Sequence, residues 1–459
     1  MKTKLLCKQT NVLKKKSIKA ILALLLLGTL SVTAQTQIGQ DIDGEVAGDR
    51  SGQAVSISDD GSVVAIGAPD NDDNGENSGH VRVFENQNGS WVQIGQDIDG
   101  EAAGDASGST TSLSGDGSIL AVGARLNDGN GGDSGHVRIF ENVNGSWVQI
   151  GQDINGESPN GQSGFSVSLS NDGSIVAIGA PSNNGNGFSS GHVRVFENQN
   201  GTWAQIGQDI NGEATFDFSG ENVSLSADGS LVAIGSRFNG GNGNDSGHVR
   251  VFENINGTWT QVGQDIDGES SSDQSGGSVS LSADGSIVAI GAPRNNNGNG
   301  PDSGHVRIYQ NQNGTWTQIG QDIDGEATDD QSGFSVSLSN DGSVVAIGAR
   351  FNDGNGSQSG HVRVFSLNDV LSVEDVQLAS LDLFPNPASE IVTLNNPQGV
   401  LLDRIAIYDI TGRLVEEINP TQTGEAQAID INALTNGLYM VVLSANTSTI
   451  TKRLVVSNN

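Results

Sequence analysis

Residues 165–210 read FSVSLSNDGSIVAIGAPSNNGNGFSSGHVRVFENQNGTWAQIGQDI. The segment FSVSLS alternates apolar and polar side chains, which is typical of a half-buried strand. SIVAIGA is almost continuously apolar, as expected of a strand covered on both faces. Asp172-Gly173 and Asn200-Gly201 each predict a hairpin turn of the primed type, which requires positive φ. The stretch therefore predicts a four-stranded antiparallel meander.

The same unit recurs along the chain every 56 residues, or 57 in one case. The six histidines keep this period: His80, His136, His192, His248, His305 and His361. The five tryptophans keep it as well: Trp91, Trp147, Trp203, Trp259 and Trp316. A sheet that is apolar on both faces needs neighbours that cover it, and such sheets repeated around an axis form a β-propeller. We therefore predict an all-β fold with a six-bladed propeller in residues 35–365; a β-solenoid is the alternative, although its coils are shorter.

The two ends of the repeat array predict how a ring would close. The array begins with TQIGQDI, a fourth strand without a preceding tryptophan hairpin, and it stops at HVRVF, a third strand without a following fourth. We therefore expect Gln37–Ile42 to pair with His361–Phe365.

The N-terminal residues predict a signal peptide in residues 1–34. Seven lysines precede the apolar run AILALLLLGTL, and small residues up to Ala34 suit a signal peptidase. The run is too short to span a bilayer permanently, so we expect cleavage between Ala34 and Gln35. Cys7 is the only cysteine and lies before this run, so the mature chain is expected to have no disulfide.

The charge of the chain limits its partners. The formal net charge is −32, and loss of a leader with seven lysines and no acid leaves −39. Such a field repels nucleic acid and anionic membranes. We therefore expect no nucleic-acid partner, and an anionic ligand would need a divalent cation between itself and the protein.

The repeats resemble FG-GAP repeats, which build the propellers of integrin α-subunit heads and of many bacterial surface proteins. The tripeptide GAP stands at residues 67–69, 179–181 and 291–293, each time ahead of a strand of the type HVRVF. The resemblance covers about residues 36–365 and implies a propeller. Many FG-GAP repeats carry a calcium loop between their first two strands, but a short turn such as residues 170–174 stands there in this chain.

The loop that follows the second strand of the first repeat is a second candidate calcium site. Asp70, Asp72 and Asn74 precede Gly75 and imitate the start of an oxygen-rich calcium loop. No bidentate glutamate follows at the required distance, so a solvated Asn/Gly loop is the alternative.

The chain changes character after Phe365. A linker is expected in residues 366–380 and a small β-sandwich in residues 381–459. This tail resembles the C-terminal sorting domain of the type IX secretion system of Bacteroidetes, on three groups of residues: Pro385, Asn386 and Pro387; Gly412 with its neighbours; and Gly437, Tyr439 and Lys452. The resemblance implies contact with that secretion machinery, passage through the outer membrane, and a secreted or cell-surface protein.

The stretch GDSGHVRIF at residues 132–140 places Ser134 near His136, which suggests a hydrolase nucleophile. SGHVR recurs in every repeat, however, whereas the acid is replaced by Asn77, Ser189 and Gln358 in three of them. Catalysis needs one site where packing needs six. We therefore predict that the repeated histidines and tryptophans are structural and that Arg82 pairs with Glu85 or Asp97. A metal shared between repeats is disfavoured because equivalent residues stand too far apart on a ring.

The function predicted from these features is binding rather than catalysis. The variable loops at 69–79, 125–135, 181–191, 237–247, 293–304 and 350–360 lie at one end of the ring and are expected to contact an extracellular ligand, as loops on a rigid scaffold often do. A neutral polysaccharide, or an anionic one bridged by calcium, suits such an array, and the protein is expected to be a monomer. The alternative is an extracellular glycan-acting enzyme with its site on one propeller face.

Overall fold

A computed structural model describes residues 37–354, 356–368, 370, 378, 380–396, 400–420, 426–445 and 448–457. The predicted signal peptide and its cleavage site lie outside the described residues. Six antiparallel sheets follow one another up to residue 366, and two further sheets form the tail. In the part of the chain that is described, no helix is long and apolar enough to cross a membrane.

The third repeat shows the unit. Its strands run antiparallel in the order β11–β12–β13–β14, and a short β15 continues the outer strand along β13. They are β11 (Ser166–Leu169), β12 (Ile175–Ala180), β13 (His192–Asn198), β14 (Trp203–Gln205) and β15 (Ile210–Asn211). The predicted all-β fold of repeated four-stranded sheets is confirmed.

The other repeats contain the equivalent strands. These are β1 (Ala54–Ile57), β2 (Val63–Ala68), β3 (His80–Asn86), β4 (Trp91–Gln93) and β5 (Ile98–Asp99); β6 (Ser107–Leu113), β7 (Ile119–Ala124), β8 (His136–Val143), β9 (Ser146–Gln149) and β10 (Ile154–Asn155); β16 (Asn222–Leu225), β17 (Leu231–Ser236), β18 (His248–Ile255), β19 (Thr258–Gln261) and β20 (Ile266–Asp267); β21 (Ser278–Leu281), β22 (Ile287–Ala292), β23 (His305–Gln312) and β24 (Thr315–Asp324); β25 (Ser332–Leu338), β26 (Val344–Ala349) and β27 (His361–Ser366).

The two hairpin turns of a repeat differ. Asn200 and Gly201 both have positive φ, 55° and 85°, so the predicted primed turn is confirmed there. At Asp172-Gly173 only the glycine has positive φ, 68°, and its N–H donates to Ser170 O at 2.9 Å. The primed type predicted at this position is wrong: the loop is a four-residue turn closed by a left-handed glycine, and the Asp172 carboxylate accepts the N–H of Ser174 at 2.9 Å.

Adjacent sheets pack face to face through apolar side chains. Val193 and Val195 of β13 form one core with Val232, Ile234 and Trp259 of the fourth repeat. Equivalent cores join every consecutive pair of repeats, five in all among the described residues. These cores account for the continuous apolar pattern of the second strand.

The glycine of the GAP tripeptide is required by a close backbone approach. A Cβ placed on Gly179 would lie 2.0 Å from the carbonyl oxygen of Gly220 in the next repeat. No side chain fits at that distance, so glycine allows the inner strands of neighbouring sheets to approach each other.

The predicted closure of the ring is wrong. In the described chain, β27 pairs with β26 alone, and the sixth sheet has three strands. Gln37–Ile42 instead lies against the first repeat, where Ile38 O accepts the indole N–H of Trp91 at 2.8 Å. The array of blades is therefore open between the sixth and first repeats.

The tail is a β-sandwich, as expected from its sequence. One sheet has the order β28–β29–β32 and the other β31–β30–β33–β34. Buried side chains such as Val392, Ile405, Val441 and Leu454 form the core between them. The strands are β28 (Asp382–Phe384), β29 (Ile391–Asn395), β30 (Arg404–Asp409), β31 (Leu414–Ile418), β32 (Ala426–Asp430), β33 (Gly437–Ala445) and β34 (Ser448–Val456).

Candidate ligand-binding surface

The third strand of each repeat begins with a histidine and an arginine on one face, and both side chains are buried in the first five repeats. In the third repeat, Nδ1 of His192 lies 3.9 Å from a carboxylate oxygen of Glu157 and 4.0 Å from one of Asp209. Arg194 donates to Asn155 O at 2.7 Å, and its Nη1 lies 3.6 Å from the other oxygen of Glu157. One glutamate from the segment before the repeat thus contacts both side chains.

The predicted partners of Arg82 were wrong. Its Nη1 lies 3.6 Å from Glu45 rather than against Glu85 or Asp97, and it donates to Asp43 O at 2.6 Å. Asp97 lies near His80 instead. The sequence signal for this contact is the glutamate that ends the recurring motif IGQDIDGE, which also occurs as IGQDINGE and VGQDIDGE.

Burial fixes the protonation of these histidines. It lowers the pKa of four imidazoles to about 4, and the neighbouring arginine lowers it further; they are His136, His192, His248 and His305. Burial also raises the pKa of the facing carboxyl groups of Glu101, Glu213 and Glu269, although the arginine opposes this. The imidazoles are therefore neutral at neutral pH, and their contacts with carboxylates are not ion pairs there.

Five such groups bring a histidine and at least two carboxylates within 4.8 Å of one another in the described chain. Neutral imidazole and carboxylate are suitable ligands for a divalent metal ion. Each glutamate also faces an arginine, however, at 3.6 to 4.0 Å. The guanidinium already supplies the positive charge that a metal ion would bring.

Ser134 is committed to its own loop. It is fully buried, its hydroxyl lies 3.2 Å from Asn127 O, to which it donates, and it accepts the N–H of Asn130 at 3.2 Å. This geometry leaves the hydroxyl turned toward the loop backbone, and nothing in it resembles an activated nucleophile.

The tryptophans link consecutive repeats. The indole N–H of Trp203 donates to Ile150 O of the preceding repeat at 2.9 Å, and the ring is buried. The same bond joins Trp147 to Ile94, Trp259 to Ile206 and Trp316 to Val262.

The three calcium candidates are each engaged in a different contact. Asp70 pairs with Arg50 at 2.9 Å, Asp72 accepts the N–H of Asn77 at 2.7 Å, and the amide of Asn74 donates to Gly100 O at 2.7 Å. The amide group of Asn74 thus ties the loop to the next repeat.

The residues of the sorting motif stabilise the tail. Asn386 accepts the N–H of Val455 at 2.8 Å and so joins the Pro385–Pro387 segment to the last strand. Gly412 has a φ of 78° in a turn held by Asp409, whose pKa is lowered chiefly by the Thr411 hydroxyl. In β33, which Gly437 begins, the Tyr439 hydroxyl donates to Thr435 O at 2.9 Å, and Lys452 lies opposite Val441 in β34.

A run of four phenylalanines breaks the symmetry of the repeats. Phe188 meets Phe216 edge to face at 5.4 Å, Phe216 stacks on Phe218 at 6.3 Å, and Phe218 meets Phe238 at 5.4 Å. Phe188 and Phe216 are 64% and 53% exposed. They lie on loops of the third and fourth repeats at the end of the array predicted to bind ligand. We call these four side chains the aromatic ridge.

Two members of the aromatic ridge occupy unusual backbone positions. Phe216 and Phe218 have φ of 67° and 52°. The corresponding positive-φ positions of the other repeats hold glycine, alanine or polar residues: Gly48 and Arg50, Gly104 and Ala106, Asn160 and Gln162, Ser272 and Gln274, and Asp329 and Gln331. A bulky side chain is rare in this region of φ, and such strain tends to occur at functional sites.

Arginines adjoin the aromatic ridge. Arg237 lies over Phe238 at 4.6 Å and pairs with the buried Glu221 at 2.7 Å. Burial raises the pKa of the Glu221 carboxyl, and the arginine opposes that shift. Further along the same rim, Arg350 lies over Phe334 at 3.8 Å, and its pKa is lowered by burial and by nearby Arg237. No single repeat shows this group, because its members belong to different repeats.

The fold and the tail define an exported all-β repeat protein. The model of the secretion system C-terminal sorting domain matches residues 382–457, and that of the FG-GAP repeat matches residues 42–84 and 323–365. The chain therefore contains FG-GAP repeats and ends in a sorting domain of the type IX secretion system, which directs it to the cell surface or the extracellular space. No curated protein matches the chain.

Several solved structures are similar in outline. Hydrazine synthase of Kuenenia stuttgartiensis is 16% identical, with 74% of this chain and 82% of that one covered and a TM-score of 0.46. The periplasmic gluconolactonase of Pseudomonas aeruginosa is 15% identical, with 82% and 87% covered and a TM-score of 0.46. A putative 6-phosphogluconolactonase of Bacteroides uniformis is 12% identical, with 82% and 88% covered and a TM-score of 0.45. At these values the likeness carries no inference about activity.

Proposed function

We propose that this protein is a secreted or surface-displayed carbohydrate-binding protein without catalytic activity, in which residues 35–365 bind and residues 381–459 serve for export. The aromatic ridge carries this proposal. Exposed aromatic faces on loops of a rigid scaffold offer flat apolar surfaces to the C–H faces of sugar rings, and ligand sites are commonly lined in this way.

The surroundings of the ridge favour a neutral polysaccharide. The mature chain carries −39, which disfavours a polyanion unless a divalent cation lies between the two. The equivalent loops of the other repeats provide Asn, Asp and Gly side by side, so one long chain can touch several repeats. Such contacts are individually weak and gain strength from their number.

The test is binding of the purified secreted protein to immobilised neutral and anionic polysaccharides, with and without chelator. Replacement of Phe188 and Phe216 by alanine is expected to weaken binding at least tenfold, about 1.4 kcal/mol. Val143→Ala is the matched control, because Val143 is also exposed but is the last residue of β8 in the second repeat. Equal binding by both variants would contradict the proposal.

A glycan-acting enzyme is the second candidate, and Glu221 is the observation that favours it. This buried carboxyl group has a raised pKa and occurs at this position in the fourth repeat alone. A glycosidase needs a second carboxyl group about 5 to 10 Å away, and the observed partner of Glu221 is Arg237. Loss of polysaccharide hydrolysis in Glu221→Gln, with binding retained, would support this candidate against the first.

A further inference from the structure

The first and sixth repeats each present apolar side chains that the described residues leave uncovered. Val55 and Ile57 of β1, the start face, are 59% and 58% exposed. Val362 and Val364 of β27, the end face, are 67% and 66% exposed. The residues equivalent to the end face in the other repeats are at most 2% exposed: Val81, Val83, Val137, Ile139, Val193, Val195, Val249, Val251, Val306 and Ile308.

The internal interfaces show what covers such a face. Val193 and Val195 are buried by Leu225, Val232 and Ile234 of the next repeat. Leu225 stands where Ile57 stands in the first repeat, since the two are three periods apart. An end face therefore fits a start face, and this contact already occurs five times within the chain.

The backbone offers the same match. Inside the array, one segment serves two repeats: Asp99 pairs with His80 in the first repeat, and its carbonyl accepts Arg138 of the second at 2.6 Å. Residues 37–43 make only the second of these two contacts. Asp43 O accepts a hydrogen bond from Arg82 at 2.6 Å, but no described strand pairs with residues 37–43.

The sixth repeat lacks the strand pairing that the other repeats make at the outer edge of their third strand. β27 pairs with β26 on one edge, and within the described ranges no strand lies on its other edge. In the fifth repeat that edge is taken by β24, in which Ile323 pairs with Val306. Exposed strand edges next to apolar faces promote pairing with another chain.

We propose that the end face of one molecule docks on the start face of a second copy, with β27 pairing with residues 37–43 of that copy. Both halves of the contact are presented by one chain and are not joined to each other within it. The contact is heterologous, so association continues from copy to copy until a ring closes or a filament forms. Since each copy is strongly acidic, association is expected to strengthen with added salt. The monomer expected from the sequence is then the species present at low protein concentration.

The experiment measures the mass of the full secreted chain in solution over about 1 to 100 µM by light scattering after gel filtration. Two variants remove one face each: Val55→Asp with Ile57→Asp, and Val362→Asp with Val364→Asp. The control is Val148→Asp, an exposed valine of β9 away from both faces. Wild type and control are expected to give multiples of the chain mass and each face variant a single chain. A 1:1 mixture of the two face variants is expected to give twice that mass and nothing larger, because it has one complementary pair.

A crosslink tests the same contact without loss of an apolar side chain. By the register of Val81 with Ile98, Ile42 of one copy would lie opposite Val362 of another. Cys7, the one cysteine in the sequence, lies in the predicted leader. After removal of the leader, a chain with Ile42→Cys and Val362→Cys therefore has two thiols. Oxidation is expected to give a ladder of covalent multimers on a non-reducing gel.

Two results would overturn the proposal. Wild type with the mass of one chain at every concentration, and an oxidised double-cysteine chain without multimers, would show that copies do not associate. A large fall in the melting temperature of the end-face variant would then show that β27 closes on residues 37–43 of its own chain. An unchanged melting temperature would show that both faces simply meet solvent.

Discussion

The buried histidines make the stability of the repeats depend on pH. Their pKa is about 4 in the folded chain, because burial disfavours the charged form, and about 6.5 when unfolded. The unfolded chain therefore binds more protons between these values, and the free energy of unfolding falls as the pH falls through this window. The loss at pH 5, relative to pH 7.5, is about 2 kcal/mol for each histidine.

Four such histidines give a total loss of about 8 kcal/mol, which is comparable with the whole stability of a typical domain. The facing carboxyl groups act in the opposite direction at acidic pH. Burial raises the pKa of Glu101, Glu213 and Glu269 in the folded chain, so the folded chain binds these protons more readily than the unfolded chain and gains stability as the pH falls. The measured fall in the free energy of unfolding is therefore the loss from the histidines less this gain.

The assay is urea unfolding at pH 7.5, 6.5, 5.5 and 5.0, followed by the fluorescence of the buried tryptophans. His192→Gln is expected to remove about 2 kcal/mol of the pH dependence. His361→Gln is the matched control, because His361 has the same place in the sixth repeat but is in contact with water, with its side chain 26% exposed. Equal stability at pH 7.5 and 5.0, or a full pH dependence in His192→Gln, would refute the reasoning.

Three further predictions concern packing and export. Trp203→Ala is expected to cost about 3 to 5 kcal/mol, and Trp91→Ala clearly less because that ring lacks a preceding repeat; equal urea midpoints would contradict this. Gly179→Ala is expected to destabilise by at least about 1 to 3 kcal/mol, since its Cβ would meet Gly220 O at 2.0 Å; an unchanged melting temperature would show that the backbone yields. Deletion of residues 381–459 is expected to leave the repeats folded and retained in the periplasm, as cell fractionation would show, whereas normal secretion would exclude the tail as the export signal.

The local structure of the repeats was predictable from the sequence because its causes are local. Alternation identifies half-buried strands, and Asn200-Gly201 satisfies the φ requirement of a primed turn by itself. The turn at Asp172 was assigned the wrong type, since its carboxylate caps the backbone of Ser174 and keeps φ negative at the aspartate. The type of this turn depends on a side-chain contact rather than on the turn preferences of the residues alone.

The candidate ligand-binding surface was less predictable. Strand alternation places His192 and Arg194 on one face, but their carboxylate partners come from segments that approach only in the folded chain. The aromatic ridge left a sequence signal that alignment of the repeats reveals, namely Phe216 and Phe218 at positions that are small or polar elsewhere.

The sequence by itself determined the class of structure, the number and length of the repeats, and the sorting tail, because these depend on periodicity and on short motifs. Only the tertiary structure decided whether the array closes. The sequence shows that Gln37–Ile42 complements the sixth repeat, yet closure also requires the rotations between neighbouring sheets to add up to a full turn. Those rotations are set by how side chains such as Val195 and Trp259 interlock between sheets, and no local pattern encodes their sum.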